Sequence, residues 1–212
     1  MLQDFNICIQ TQFVFGKNAQ NQIGSELKKR GVKRVLIHHD NGEFLYATGL
    51  LESISRNLEK EGISWVELGG VLPNPRLSLV YEGIEIAKKE DVDFVIAIGG
   101  SVIDSAKAIG LGAVIKGDVW DFFTGAAVPE SSLPVGVILT CPATGSESSA
   151  VTVVNNTEEG KKLLVSHPLV RPVIAFMNPE LTCSLSRFLT SCGVIDMFSH
   201  VCERYFTPDD EI

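Results

Sequence analysis

Four stretches of this chain carry side chains suited to holding a ligand. Asp40 ends an apolar run, where an acid can accept a ribose hydroxyl or simply start a turn with Asn41 and Gly42. Gly99, Gly100 and Ser101 separate an apolar run from a helix-like one, with Asp104 in its first turn. Such a turn lets the backbone approach a phosphate, and a helix N-terminus offers free N–H groups; any tight strand-to-helix turn has the same composition. Thr140, Thr144 and Ser146 lie in a polar loop after another apolar run, where hydroxyls bond a ligand or cap a turn. Asp196 and His200 stand four apart in a helix-like segment and so share a face. A carboxylate and an imidazole there fill two positions on a divalent metal, or stabilise the helix as a pair; a metal site normally takes three or four ligands.

The elements that must position these groups alternate in type. Residues 5–15 read as a strand or hairpin, 18–30 as a helix, and 32–38 as a strand ending at His38 and His39, two ordinary strand-end histidines. Residues 50–61 read as a helix and 65–68 as a short strand. The loop at 69–78 is held by two prolines, and a helix follows over 80–90. Phe94 to Ile98 is too short for a helix and reads as a strand buried on both faces. Residues 113–127 read as irregular and 133–139 as a strand. Two short strands, 151–154 and 163–165, flank a turn, with Lys162 a solvated turn lysine by default; 173–177 is the last strand. From Leu181 onward the pattern is helical. This is an α/β chain with a mainly parallel sheet and helices on both faces, followed by helix alone. The three strand-end sites would converge at the carboxyl edge of such a sheet. Asp40 precedes the glycines, the reverse of the usual dinucleotide fingerprint.

Composition narrows the function. The 212 residues are 45% hydrophobic and 21% charged, enough for a sizeable core. A net charge of -8 with no basic stretch argues against nucleic acid and anionic membranes. No apolar run approaches the roughly twenty residues of a membrane span, and the first residues lack signal-peptide features. The five cysteines have no paired spacing and read as free structural thiols of a reducing, cytoplasmic environment.

The run from Val71 to Ile109 (VLPNPRLSLVYEGIEIAKKEDVDFVIAIGGSVIDSAKAI), then DVWDFF, PATGSESS, LVRPVIAFMNPEL and GVIDMFSHVCERYFT, resembles the iron-containing alcohol dehydrogenase family, in its NAD(P)-dependent butanol dehydrogenase-like branch. The resemblance runs the whole chain in motif order. It implies a Rossmann-like dinucleotide-binding domain over 1–180 and, over 181–212, the beginning of an all-helical metal-binding domain, a dehydroquinate synthase-like fold. The chain is expected to cover the N-terminal half of such a protein.

By resemblance, Gly99, Gly100, Ser101 and Asp104 take the pyrophosphate. Thr140, Thr144 and Ser146 line the loop beside it and the nicotinamide, and Lys162 reaches the cofactor. Asn74 lies in the loop closing over it, and Asp40 senses the adenosine ribose. Asp196 and His200 match the first two of four ligands to Fe2+ or Zn2+. His38, His39 and His167 match no ligand motif. The family usually has three glycines before the serine; here there are two. The implied reaction is hydride transfer between a primary alcohol and NAD or NADP, with the reverse reduction of an aldehyde, and no catalytic side chain beyond the metal ligands. Asp40 and Glu43 would repel a 2′-phosphate, which favours NAD. A homodimer is implied through the N-terminal strand. A non-catalytic nucleotide-binding role is the alternative, because the two further ligand histidines are absent from this sequence.

Overall fold

Every side chain from Phe94 to Ile98 is fully buried. Successive strand residues point to opposite faces, and the two faces here enter two different cores. Val95 and Ala97 join one cluster with Val80, Ile84, Ala106 and Ile109; Phe94, Ile96 and Ile98 join the other with Ile23, Leu27, Ile54 and Leu58. At about 1.5–3 kcal/mol for each large side chain buried, this strand anchors both layers.

The computed structural model describes residues 9–207. In chain order it comprises β1 (Gln12–Phe15), α1 (Ile23–Lys29, entered through a 3-10 turn at Ala19–Gln22), β2 (Arg34–His39), α2 (Glu43–Ala47), α3 (Leu50–Lys60) and β3 (Ser64–Leu68). There follow α4 (Leu77–Lys89), β4 (Phe94–Ile98), α5 (Val102–Ala113), α6 (Trp120–Thr124), β5 (Val135–Ile138), β6 (Val151–Asn156), β7 (Lys161–Ser166), β8 (Ile174–Met177) and α7 (Arg187–Phe206). Six strands form one sheet in the order β1-β8-β5-β4-β2-β3, and every pairing in it is parallel. β6 and β7 form a separate antiparallel hairpin. The Rossmann-like reading therefore holds.

β2 pairs β3 on one side and β4 on the other, so the chain order reverses between β2 and β4. A crevice opens at such a switch point, outside the carboxyl ends of the strands. Asp40 follows β2 and Gly99 follows β4, which puts both at its mouth.

The structure sharpens the local reading in three places. Gln12–Phe15 forms the strand expected there, parallel to β8; residues 5–8 of the 5–15 stretch lie outside the described part. Residues 113–127 are not wholly irregular. Asp118 Oδ1 accepts from Trp120 N at 2.9 Å, Trp120 stacks on Phe123 at 5.3 Å, and Gly125 closes α6 at φ 78°. The stretch after Gly42 holds α2, a turn of helix too short for apolar periodicity to reveal. No helix among the described residues is long and apolar enough to cross a membrane. Cys141, Cys183, Cys192 and Cys202 are free.

Candidate functional site

The glycine turn is shaped by close approach. Gly99 adopts φ +133°, where a Cβ would stand 3.0 Å from Val102 Cγ2 and 3.9 Å from Asp40 Oδ2. A Cβ on Gly100 would lie 3.2 Å from the Cys141 carbonyl oxygen. Two glycines thus let the ends of β2, β4 and β5 meet around one hollow. No side chain caps the N-terminus of α5: Ser101 makes no capping bond, although Ile103 N reaches back to Gly100 O at 3.2 Å. The free first-turn amides and the helix dipole face the cleft, as an anion requires.

Three adjoining cavities make one groove over this edge. The first, about 490 Å³, is lined by Asp40, Phe44, Gly100, Ser101, Thr140 and Leu185 among others. The second, about 370 Å³, shares Gly100, Ser101 and Cys141 with it and adds Asn74, Asp104, Thr144, Ser146 and Lys162. The third, about 410 Å³, shares Asp104, Thr144 and Ser146 with the second and reaches His200, Glu203 and Arg204 on α7. Of the ten residues nominated from the sequence for the cofactor, nine line the first two cavities, and Gly99 lies in the turn beneath them.

The polar atoms of those residues have particular partners. Asp40 Oδ1 accepts from Gly42 N at 2.8 Å, the turn expected of Asp-Asn-Gly, and the side chain remains exposed. Asp104 faces the β6 side: Oδ1 accepts from Ser146 Oγ at 2.7 Å, Oδ2 from Val153 N at 3.3 Å, and its carbonyl from Thr152 Oγ1 at 2.7 Å. Thr144 Oγ1 accepts from Ser146 N at 3.2 Å. Asp104 and Ser146 therefore line the groove while bonding each other. Lys162 is no free turn lysine; its Nζ donates to Asn74 Oδ1 at 2.7 Å. Asn74 is left-handed at φ 62°, and Pro75 O accepts from Asn155 N at 2.9 Å, which seats the proline loop on β6.

α7 approaches the loop that follows β5 at Gly193. Gly193 is its one buried residue, and a Cβ there would lie 2.8 Å from Pro142 O. One turn later come Asp196 and His200, with Oδ1 and Nε2 3.9 Å apart. Their oxygen and nitrogen donors suit a divalent ion and face each other closely enough to share one. Among the described residues no third His, Cys, Asp or Glu joins them. The pair fits two positions of a metal site, in contact with the groove through His200.

His38 and His39 are strand-end residues with internal roles. The Leu68 carbonyl can only accept, so His38 Nδ1 donates to it at 2.8 Å, and Nε2 accepts from Ser105 Oγ at 2.8 Å. Burial pushes the His38 ring down from 6.5 to about 4, so it is neutral. His39 is also shifted down by burial, with Glu67 and Asp40 opposing.

The sequence reading missed Lys107. It is fully buried on α5, and its Nζ bonds the loop beside the groove. The available signal was its place on a helix of otherwise small and apolar residues, DSAKAIGLGA.

The description "Iron-containing alcohol dehydrogenase" is that of the family model matching residues 10–179. The chain belongs to the iron-containing alcohol dehydrogenase family. It is 39% identical over 206 residues to a probable NADH-dependent butanol dehydrogenase 1 of Bacillus subtilis, covering 97% of this chain and 53% of that protein. It is 39% identical over 204 residues to NADH-dependent butanol dehydrogenase A of Clostridium acetobutylicum, covering 96% of this chain and 52% of that one. The crystal structure of NADH-dependent butanol dehydrogenase A from Thermotoga maritima superposes with a TM-score of 0.93 at 38% identity, over 97% of this chain and 52% of that one. The chain spans about half the length of these relatives.

Proposed function

We propose that this chain is the cofactor-binding part of an NADH-dependent alcohol dehydrogenase or aldehyde reductase acting on a small primary alcohol or its aldehyde. The observation that carries this reading is the continuous groove from Asp40, past the glycine turn, to His200. Bound NAD would supply the acceptor for a hydride from the carbinol carbon. A divalent ion, Fe2+ or Zn2+, held by Asp196 and His200 would supply Lewis-acid polarisation of the substrate oxygen.

The chain's own residues do the positioning. The α5 N-terminus and the Gly99–Ser101 turn receive the diphosphate. Asp40 accepts a ribose hydroxyl in the first cavity, and its charge, with Glu43 nearby, disfavours a 2′-phosphate. Thr140, Thr144 and Ser146 wall the path toward α7, while Lys162 and Asn74 close the opposite side. No side chain is assigned as general acid or base.

Residues 1–180 would form the nucleotide domain and 181–212 the beginning of a helical one. Phe188, Ile195, Phe198, Val201 and Phe206 on α7 are exposed apolar side chains, as expected of a helix that packs within such a domain. Among the described residues β1 is the edge strand of the sheet, with Phe13 and Phe15 exposed, which supports a homodimer formed edge to edge in a cytoplasmic protein. Cofactor binding without turnover is the second reading, favoured by the presence of only two metal donors among the described residues.

Fluorescence titration with NADH tests the proposal. Saturable binding with enhanced nicotinamide emission, and weaker binding of NADPH, is the expected result. A protein that leaves NADH emission unchanged at millimolar concentration is not a member of this reaction class. Aldehyde reduction, assayed with added Fe2+ or Zn2+, then separates the enzyme from the binding module.

A further inference from the structure

Lys107 is a buried ammonium on α5, the helix whose N-terminus forms the anion cradle. Its side chain is 0% exposed. Nζ lies 2.9 Å from Ser146 Oγ, 3.2 Å from both the carbonyl and hydroxyl oxygens of Ser149, and 2.7 Å from Val151 O. Asp104 Oδ1, one turn back on α5, is 4.0 Å away and bonds the same Ser146 hydroxyl. Arg171 holds the loop from its other side through the Ser148 carbonyl.

Burying an ammonium costs several kcal/mol, and a packed apolar side chain of similar volume often serves stability as well or better. What the ammonium adds is directional: its hydrogens fix carbonyl and hydroxyl oxygens of a loop that has no strand partners of its own before Val151. Burial lowers the lysine to about 8, with Asp104 and Glu147 opposing and Arg171 reinforcing, so it stays charged near neutrality. The loop it holds supplies Ser146 to the second cavity and Ser146 and Ser149 to the third.

We propose that Lys107 is a positioning residue for cofactor binding, fixing the Ser146–Val151 loop to α5 so that the nicotinamide side of the groove is preformed. This rests on the cofactor reading above. The adenosine side, around Asp40 and Phe44, has no contact with that loop among its lining residues. Lys107 therefore acts on one half of the ligand and leaves the other alone.

The experiment is Lys107→Met, read by NADH fluorescence titration, AMP calorimetry and hydrogen–deuterium exchange. The expected result is a rise of about tenfold in the Kd for NADH, the loss of one charge-assisted network. The AMP affinity should be unchanged, and amides of 144–151 should exchange faster while those of β4 do not. Equal NADH affinity in a folded Lys107→Met protein overturns the inference, as does an equal loss of AMP and NADH binding. If the variant does not fold, wild-type protein labelled with 15N-lysine replaces it. A buried, slowly exchanging ammonium signal that shifts on saturation with NADH supports the role, and one that does not move overturns it. Wild-type protein that binds no NADH overturns both readings, whereas binding that Lys107→Met leaves untouched overturns only this one.

Discussion

Lys162 Nζ and Asn74 Oδ1, 88 positions apart in the sequence, meet at 2.7 Å across the mouth of the central cavity. The bond joins the proline loop to β7, and both residues border the space where the cofactor is proposed to lie. Being exposed, such a bond contributes little to folding, about 1 kcal/mol or less. Its loss should instead show in binding. Lys162→Ala and Asn74→Ala are each expected to weaken NADH about five- to tenfold with little change in Tm. The double variant should lose less than the sum of the two, by a coupling of about 0.5–1 kcal/mol. Fluorescence titration of the four proteins checks this, and additive losses would show that the bond carries nothing.

The two glycines of the turn should separate in their effects. Gly99→Ala places a side chain at φ +133°, which few residues tolerate, and should destabilise the fold by about 1–3 kcal/mol. Gly100 has no such backbone demand, but a Cβ there points to within 3.2 Å of the Cys141 carbonyl. Gly100→Ala should cost less stability while still impairing NADH binding. Urea unfolding and cofactor titration of both variants distinguish the two, and equal unfolding midpoints would contradict the strain argument.

Asp40 lies exposed at the β2 end with its carboxylate toward the first cavity. Asp40→Ser removes a charge that a 2′-phosphate would meet. NADPH affinity should rise relative to NADH by about tenfold, or about 1.4 kcal/mol. An unchanged ratio of the two dissociation constants would place the ribose elsewhere.

Asp196 and His200 offer two donors, 3.9 Å apart. Calorimetric titration with Zn2+ should reveal one weak site on this chain, because two ligands fall short of a closed coordination shell. His200→Ala should abolish it. Zinc binding that survives His200→Ala would remove the pair from the metal site.

His38 makes folding stability depend on pH. Burial lowers the ring's pKa in the fold to about 4, against 6.5 when free, so between those values the folded ring is neutral and unfolding takes up a proton. Its contribution is fully present above pH 6.5 and is lost as pH falls toward 4, up to about 3 kcal/mol. Urea unfolding at several pH values should show a shallower slope in His38→Gln over that window. An identical slope would mean that His38 is not the titrating group.

Much of the sheet was legible in the residues. Phe94–Ile98 was readable as a doubly buried strand because five consecutive apolar residues between a turn and two glycines leave little else. α3 and α5 were readable from apolar spacing and their boundaries. α2 and α6 were not, since five residues of helix are too few to show an apolar period. The site was legible as residue types and as a family pattern. Local composition makes Lys162 a solvated turn lysine and only the family pattern sets it at the cofactor; its bond to Asn74, like the burial of Lys107 among loop oxygens, appears only in the folded chain.

The sequence by itself determined the alternation of strands and helices, the two-glycine turn and the Asp196–His200 face. Those depend on periodicity, glycine conformation and helical spacing, all local properties. Only the tertiary structure decided the order β1-β8-β5-β4-β2-β3, and with it the crevice between β2 and β4. It also decided that Asp104 faces Ser146 and that Lys107 is held inside the loop. These are contacts between residues more than thirty positions apart. No local pattern encodes them, because they form only when burial of two hydrophobic faces brings distant elements into register.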